Sequence, residues 1–215
     1  MSFPKIYIVH YKKLVDRKKY LLNRFTELGI TNYEFIEDFD RDEIDFNLIN
    51  NNFSNSYYSI VLKSTQNIVK CINMSHKLIY QKISSSDDNL ALILEDDALL
   101  CDNFVEKLTE YMQTLPSDLD LGFINNGCNF HISPDRIMPD TYWYSYHGTR
   151  TCCAYLISKN CSNKILNTFI PFSFEIDREL CNIIKRIRLK VYWCEPTLVQ
   201  DGSETIYGSA RLPNN

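Results

Sequence analysis

Three consecutive carboxylates, Glu95, Asp96 and Asp97, follow a short apolar run from Leu90 to Leu94. An apolar run without alternation reads as a strand buried on both faces. The polar, serine-rich stretch from Ser84 to Asn89 marks a loop before it. The acids therefore sit at the carboxyl end of a strand, where open α/β sheets bind ligands. Adjacent like charges repel, so a counter-charge must make them tolerable. A divalent cation such as Mn²⁺ or Mg²⁺ takes hard oxygen ligands and meets that need. An ion held there would suit a diphosphate-bearing substrate. The same acids also read as a solvated loop or a helix N-terminus; their place at a strand end favours the metal.

The elements that must position these acids alternate between strand and helix. Lys5 to Val9 reads as a first strand, Asp16 to Leu28 as a helix stopped by Gly29, and Tyr33 to Ile36 as a second strand. That opening is the signature of a parallel sheet. Asp38 to Tyr58 is polar, Asn-rich and aperiodic, and reads as a long surface loop. Lys63 to Ile83 carries Ile68, Ile72, His76, Ile79 and Ile83 on one helical stripe, with Ser64 as the cap. Asp102 reads as the N-cap of a helix ended by Pro116. Leu121 to Ile124, Cys153 to Ile157 and Lys190 to Cys194 read as strands. Helices are expected from Asn160 to Phe169 and from Asp177 onward. The stretch 127–148 is an aromatic excursion holding Trp143, Tyr144 and Tyr146. No repeat or linker interrupts this order, so the expectation is one α/β domain over residues 1–215.

Composition narrows the function classes. The chain has 215 residues, 45% of them hydrophobic, which suffices for a core. Its formal net charge of −4 argues against nucleic acid as a partner, because phosphate neutralisation needs a basic face. The densest basic stretch, Lys185 to Lys190, suits a solvated helix end. No apolar run is long enough for a membrane span. The N-terminal residues lack the apolar core of a signal peptide, so a cytoplasmic location is expected. The eight cysteines form no CxxC pair and read as small buried hydrophobes in a reducing compartment. Asn52, Asn73 and Asn160 begin formal sequons that mean little in that setting.

Taken in order, these residues resemble glycosyltransferase family 25, the lipopolysaccharide and procollagen galactosyl- and glucosyltransferases. The resemblance rests on Ile6 to Val9 followed by Asp16-Arg17; on Cys71, Ser75 and His76; and on Leu92 to Ala98 followed by Asp102-Asn103-Phe104. It continues through Thr151 to Ser158, Ile176-Asp177 with Leu180, and Pro196 to Gln200. Two places depart from the family pattern: Lys70 stands where glycine is usual, and Asp38 to Arg41 replaces an Asp-Gly turn. The resemblance implies a GT-A type nucleotide-sugar-binding fold, with a mixed, mostly parallel sheet flanked by helices. It also implies a UDP-sugar donor, a divalent metal and inversion at the anomeric carbon, with a glycan or glycoprotein as acceptor.

Under that resemblance Asp97, the last acid of its motif, is the metal ligand, with Glu95 near the metal or the ribose. Side chains alternate along an extended chain, so Asp96 is expected to point away from both, toward the donor or loop amides. Inversion needs a base opposite the leaving group. Asp177 is the candidate and Glu175 the reserve, although Asp177 also reads as a helix N-cap. Arg17 is placed to contact the diphosphate or uridine, or else lies on the surface. Ser75 and His76 are expected beside the donor, with His76 also reading as a hydrogen-bonded core histidine. Gln200 is expected at the nucleotide or the metal's water shell. The resulting function is a metal-dependent inverting transferase of galactose or glucose. A catalytically inactive glycan- or nucleotide-binding module is the alternative, favoured by the short stretch after Gln200. A nucleotidyltransferase ranks last, because residues 10–17 after the first strand contain no glycine to cradle a phosphate.

Overall fold

A computed structural model describes residues 3–208. Its strands are β1 (Lys5–Val9), β2 (Tyr33–Ile36), β3 (Leu90–Glu95), β4 (Ala98–Leu100), β5 (Leu121–Phe123), β6 (Trp143–Tyr146), β7 (Ala154–Ser158), β8 (Val191–Cys194) and β9 (Val199–Asp201). Its α-helices are α1 (Val15–Glu27), α2 (Tyr57–Ile60), α3 (Gln66–Ser85), α4 (Phe104–Gln113), α5 (Lys159–Asn167) and α6 (Ile176–Ile187).

Seven strands form one sheet in the order β2-β1-β3-β7-β5-β8-β6, and β4 pairs with β9 in a separate ribbon. The β1·β2, β1·β3 and β5·β8 pairs are parallel; β3·β7, β5·β7 and β6·β8 are antiparallel. Only β7 and β6 therefore run against the other strands. This mixed, mostly parallel sheet flanked by helices agrees with the expected GT-A-like architecture.

Strand alternation divides the core in two. Ile6, Ile8, Leu92, Leu94 and Leu156 pack with Leu21 and Phe25 of α1 and Phe104 and Leu108 of α4. Tyr7, Val9, Ile93, Phe123 and Tyr155 pack on the other face with Ile79 and Ile83 of α3, Ile165 of α5 and Leu180 of α6. Both faces are covered by apolar side chains, which explains the unbroken apolar run of β3. A one-residue slip would exchange the two sets, so the register is strongly fixed.

Several local expectations change. The stretch 38–58 is not simply a surface loop. Short 3₁₀ turns and the start of α2 bury Ile49, Phe53 and Tyr57, and Phe53 bridges to Phe172. Irregularly spaced aromatics make this core contact without any periodic signal. The aromatic excursion contains β6, whose fully buried Trp143 donates from Nε1 to the Tyr111 carbonyl at 3.1 Å. Ser64 does not cap α3, which starts after Thr65 without a side-chain cap. Asp102 does not cap α4 either; Asn103 precedes that helix, and Asp102 is solvent-exposed and paired with Arg24 at 2.9 Å. At α6 the N-cap position is Glu175, and Asp177 stands within the first turn. Gly29, with φ of +67°, ends α1 as expected.

Candidate active site

β1 and β3 run side by side, with Val9 opposite Glu95, so the residues that follow both strands emerge at one end of the sheet. Beyond β3 the chain turns through Asp96 and Asp97 into β4. The antiparallel register of the ribbon sets Ala98 opposite Asp201. The Gly202 amide donates to the Asp97 carbonyl at 2.9 Å. A Cβ at position 202 would lie 2.5 Å from that carbonyl, so the close approach requires glycine. These pairings carry the Asp201 carboxylate to the acidic turn from the far end of the sequence.

A cleft of about 250 Å³ opens there, between the strand ends, the start of α1, the face of α3 and the first turn of α6. Arg17, from the first turns of α1, is buried within it. Its Nη1 donates to Asp96 Oδ1 at 2.8 Å and to Asp97 Oδ2 at 3.2 Å, and its Nη2 donates to the Gly208 carbonyl at 3.0 Å. The second oxygen of Asp96 lies 2.9 Å from His10 Nδ1 and accepts from the Tyr11 amide at 3.3 Å. Asp96 is thus held from three directions. Part of the expectation that it meets loop amides is met by Tyr11.

Asp97 is the electrostatic centre of the cleft. Burial pushes its pKa up to about 8, helped by the nearby charges of Glu95, Asp201 and Asp96 and opposed by Arg17. Its Oδ1 is buried and has no hydrogen-bond partner among the described residues. An unsatisfied buried carboxylate oxygen is costly, and a cation is the direct remedy. Oxygens of Asp97 and Asp201 and the Cys153 Sγ all lie within 4.8 Å of one another. This spacing suits ligands around one small divalent ion. Asp201 is itself steadied by Ser203, whose amide and hydroxyl donate to Oδ1 at 3.0 and 2.6 Å.

Of the residues singled out by sequence, Arg17, Ser75, Glu95, Asp96, Asp97 and Asp177 all line this one cleft. Glu95 stands apart from the close-set donor group; its Oε1 lies 3.4 Å from His76 Nε2. His76 is fully buried behind Glu95, stacked on Tyr155, with Nδ1 2.9 Å from the Tyr155 hydroxyl. It therefore fulfils its core-histidine reading while touching a cleft carboxylate. Gln200 is exposed on β9 and does not line the cleft, whereas its strand neighbour Asp201 does. Trp143 is a core residue. Sequence reasoning missed His10, Cys153 and Asp201. His10 directly follows β1 and was accessible to the same strand-end rule that marked the acids. Asp201 carried no such signal, because a three-residue strand pairing brings it in.

Comparison with known proteins bears on this geometry. Residues 3–180 match the profile of glycosyltransferase family 25, described as a lipopolysaccharide biosynthesis protein family. A protein of Acanthamoeba polyphaga mimivirus with a provisional glycosyltransferase name, R655, is 30% identical over 152 residues. That alignment covers 68% of this chain and 45% of the relative. A procollagen lysyl hydroxylase and glycosyltransferase of the same virus is 26% identical over 154 residues, covering 58% of this chain and 16% of the relative. The chain thus spans less than half the length of either viral protein. The family match takes in β1, the acidic turn and the first turn of α6, which converge on the cleft, whereas Asp201 lies outside the matched residues. On that match the chain belongs to glycosyltransferase family 25.

Proposed function

We propose that the protein is a metal-dependent inverting glycosyltransferase. It moves a hexose, galactose or glucose, from a UDP-sugar to a hydroxyl of a glycan or glycosylated protein. The observation that carries this reading is the buried, unpartnered Oδ1 of Asp97 within a strand-end cleft shared by Asp201, Arg17 and Asp177. Asp97 and Asp201 would hold the ion. A bound Mn²⁺ or Mg²⁺ would offset the negative charge that gathers on the departing UDP. The Arg17 guanidinium supplies a second, permanent positive charge beside it. Asp177 lines the same cleft in the first turn of α6. It would accept the proton of the acceptor hydroxyl as that oxygen bonds the anomeric carbon on the face opposite UDP. His76, anchored by Tyr155, orients Glu95 toward the donor.

The ion pair of Arg17 with Asp96 and Asp97 favours a second reading. In it Arg17 is the counter-charge, and the protein is a binding module for a nucleotide or glycan without transfer activity. Calorimetric titration of UDP separates the two. UDP binding that needs Mn²⁺ and disappears in EDTA supports the transferase. Equal binding in both conditions supports the module, and absence of binding in both rules out a UDP site.

A further inference from the structure

The third member of the close-set donor group is a thiol, Cys153, which also packs in the apolar layer beside α1 and α4. Cys153 is 1% exposed and unpaired to any other cysteine. Its backbone is pinned by the sheet: the Cys153 carbonyl accepts from the Glu95 amide at 2.9 Å, and the next residue, Ala154, registers with Leu94. Its Sγ thereby meets the Asp97 and Asp201 carboxylates within the same 4.8 Å set, beside the unpartnered Asp97 Oδ1. In the apolar layer alone Cys153 would count as a small hydrophobe. A sulfur held against two carboxylates is instead a mixed oxygen and sulfur donor set.

We propose that Cys153 is a ligand of the cation site, and that the site takes a borderline-soft divalent ion, Zn²⁺, Co²⁺ or Fe²⁺, in preference to Mg²⁺. The inference rests on the cation site of the proposed function and adds its third ligand and its metal preference. On binding, the Cys153 S–H bond breaks, a sulfur–metal bond forms, and the proton passes to solvent; no electron is transferred. Thiolate ligands favour softer ions, whereas oxygen-only sites suit Mg²⁺ and Mn²⁺. Zn²⁺ and Co²⁺ bind above Mn²⁺ at nearly any donor set, so the thiol ligand is identified by its charge-transfer band and not by that order.

The test is titration of Co²⁺ into the reduced full chain, followed by absorption. Visible ligand-field bands report the ion, and a near-ultraviolet charge-transfer band reports a Co²⁺–thiolate bond. Both bands should appear, with Zn²⁺ displacing Co²⁺ and excess Mg²⁺ failing to do so. Cys153→Ser should remove the near-ultraviolet band and weaken Co²⁺ binding by at least the roughly 10-fold that losing even an outer-shell partner costs. Cys101→Ser, beyond the end of β4, should keep both bands. If Asp97→Asn abolishes the visible bands but the unmodified chain shows no charge-transfer band, the carboxylate site stands and the thiol ligand is overturned. If no Co²⁺ signal depends on Asp97, the inference falls together with the cation site. The spectrum of the unmodified chain decides the matter whether or not Cys153→Ser folds.

Discussion

Asp97 concentrates the chemistry of the cleft in one side chain, with Oδ2 on Arg17 and Oδ1 buried without a partner. Asp97→Asn should abolish metal-dependent UDP binding and sugar transfer while leaving the circular dichroism spectrum unchanged; a variant that keeps most of its activity refutes the ligand assignment. The pH dependence follows from its pKa of about 8. An unfolded aspartate titrates near 4. Between those values the native state binds more protons than the unfolded chain, so stability falls as pH rises through the window. In EDTA the melting temperature should therefore drop between pH 6 and pH 8. Asp97→Asn should flatten that slope, and so should Mn²⁺, because a bound ion replaces the proton. Asp177 is tested by kinetics. Asp177→Asn should spare UDP binding and slow transfer by roughly 10²- to 10⁴-fold, the usual share of a general base. Because Glu175 holds the N-cap position of α6, the same change should leave the melting temperature nearly unaltered.

At the scale of elements, the parts read directly from sequence are those with a sustained pattern. β1, β3 and the helices α1, α3 and α6 stand within a few residues of their expected bounds, because each carries either an apolar run or a helical stripe long enough to see. β6 was hidden because Trp143, Tyr144 and Tyr146 are all aromatic and mask the alternation between inward and outward faces. β4 and β9 are three residues each, too short for any period, and are set by pairing with one another and by the bridge of Val199 to Asn125. That pairing explains why the acidic turn was legible and its partner Asp201 was not: the first is local, the second is a contact across the whole fold. The ribbon depends on one tight approach. Gly202→Ala would push a methyl group against the Asp97 carbonyl, 2.5 Å away. It should lower cation affinity and the order of β9 while sparing the seven-stranded sheet, as hydrogen exchange would show. Phe25→Ala, by contrast, empties the core between α1 and the sheet and should cost about 3–5 kcal/mol in urea unfolding.

For the whole molecule, two apolar layers share a single sheet, and each contains one tryptophan. Trp143 lies in the layer with α1 and α4, and Trp193 in the layer with α3, α5 and α6. Variants retaining one tryptophan at a time, Trp193→Phe and Trp143→Phe, should report the two layers separately. Their urea transitions should coincide with each other and with circular dichroism, since neither layer can persist once the shared strands separate. Divergent midpoints would mean that the layers unfold independently. The β4·β9 ribbon has a different consequence. Asp97 and Asp201 stand 104 positions apart (201 − 97) along the chain. Docking β9 brings a second acid to the acidic turn, where Arg17 pairs with Asp97 and the raised pKa of Asp97 lets a proton serve as counter-charge. Under the proposed function, an ion at this site would clip together two segments that the backbone joins only through most of the fold.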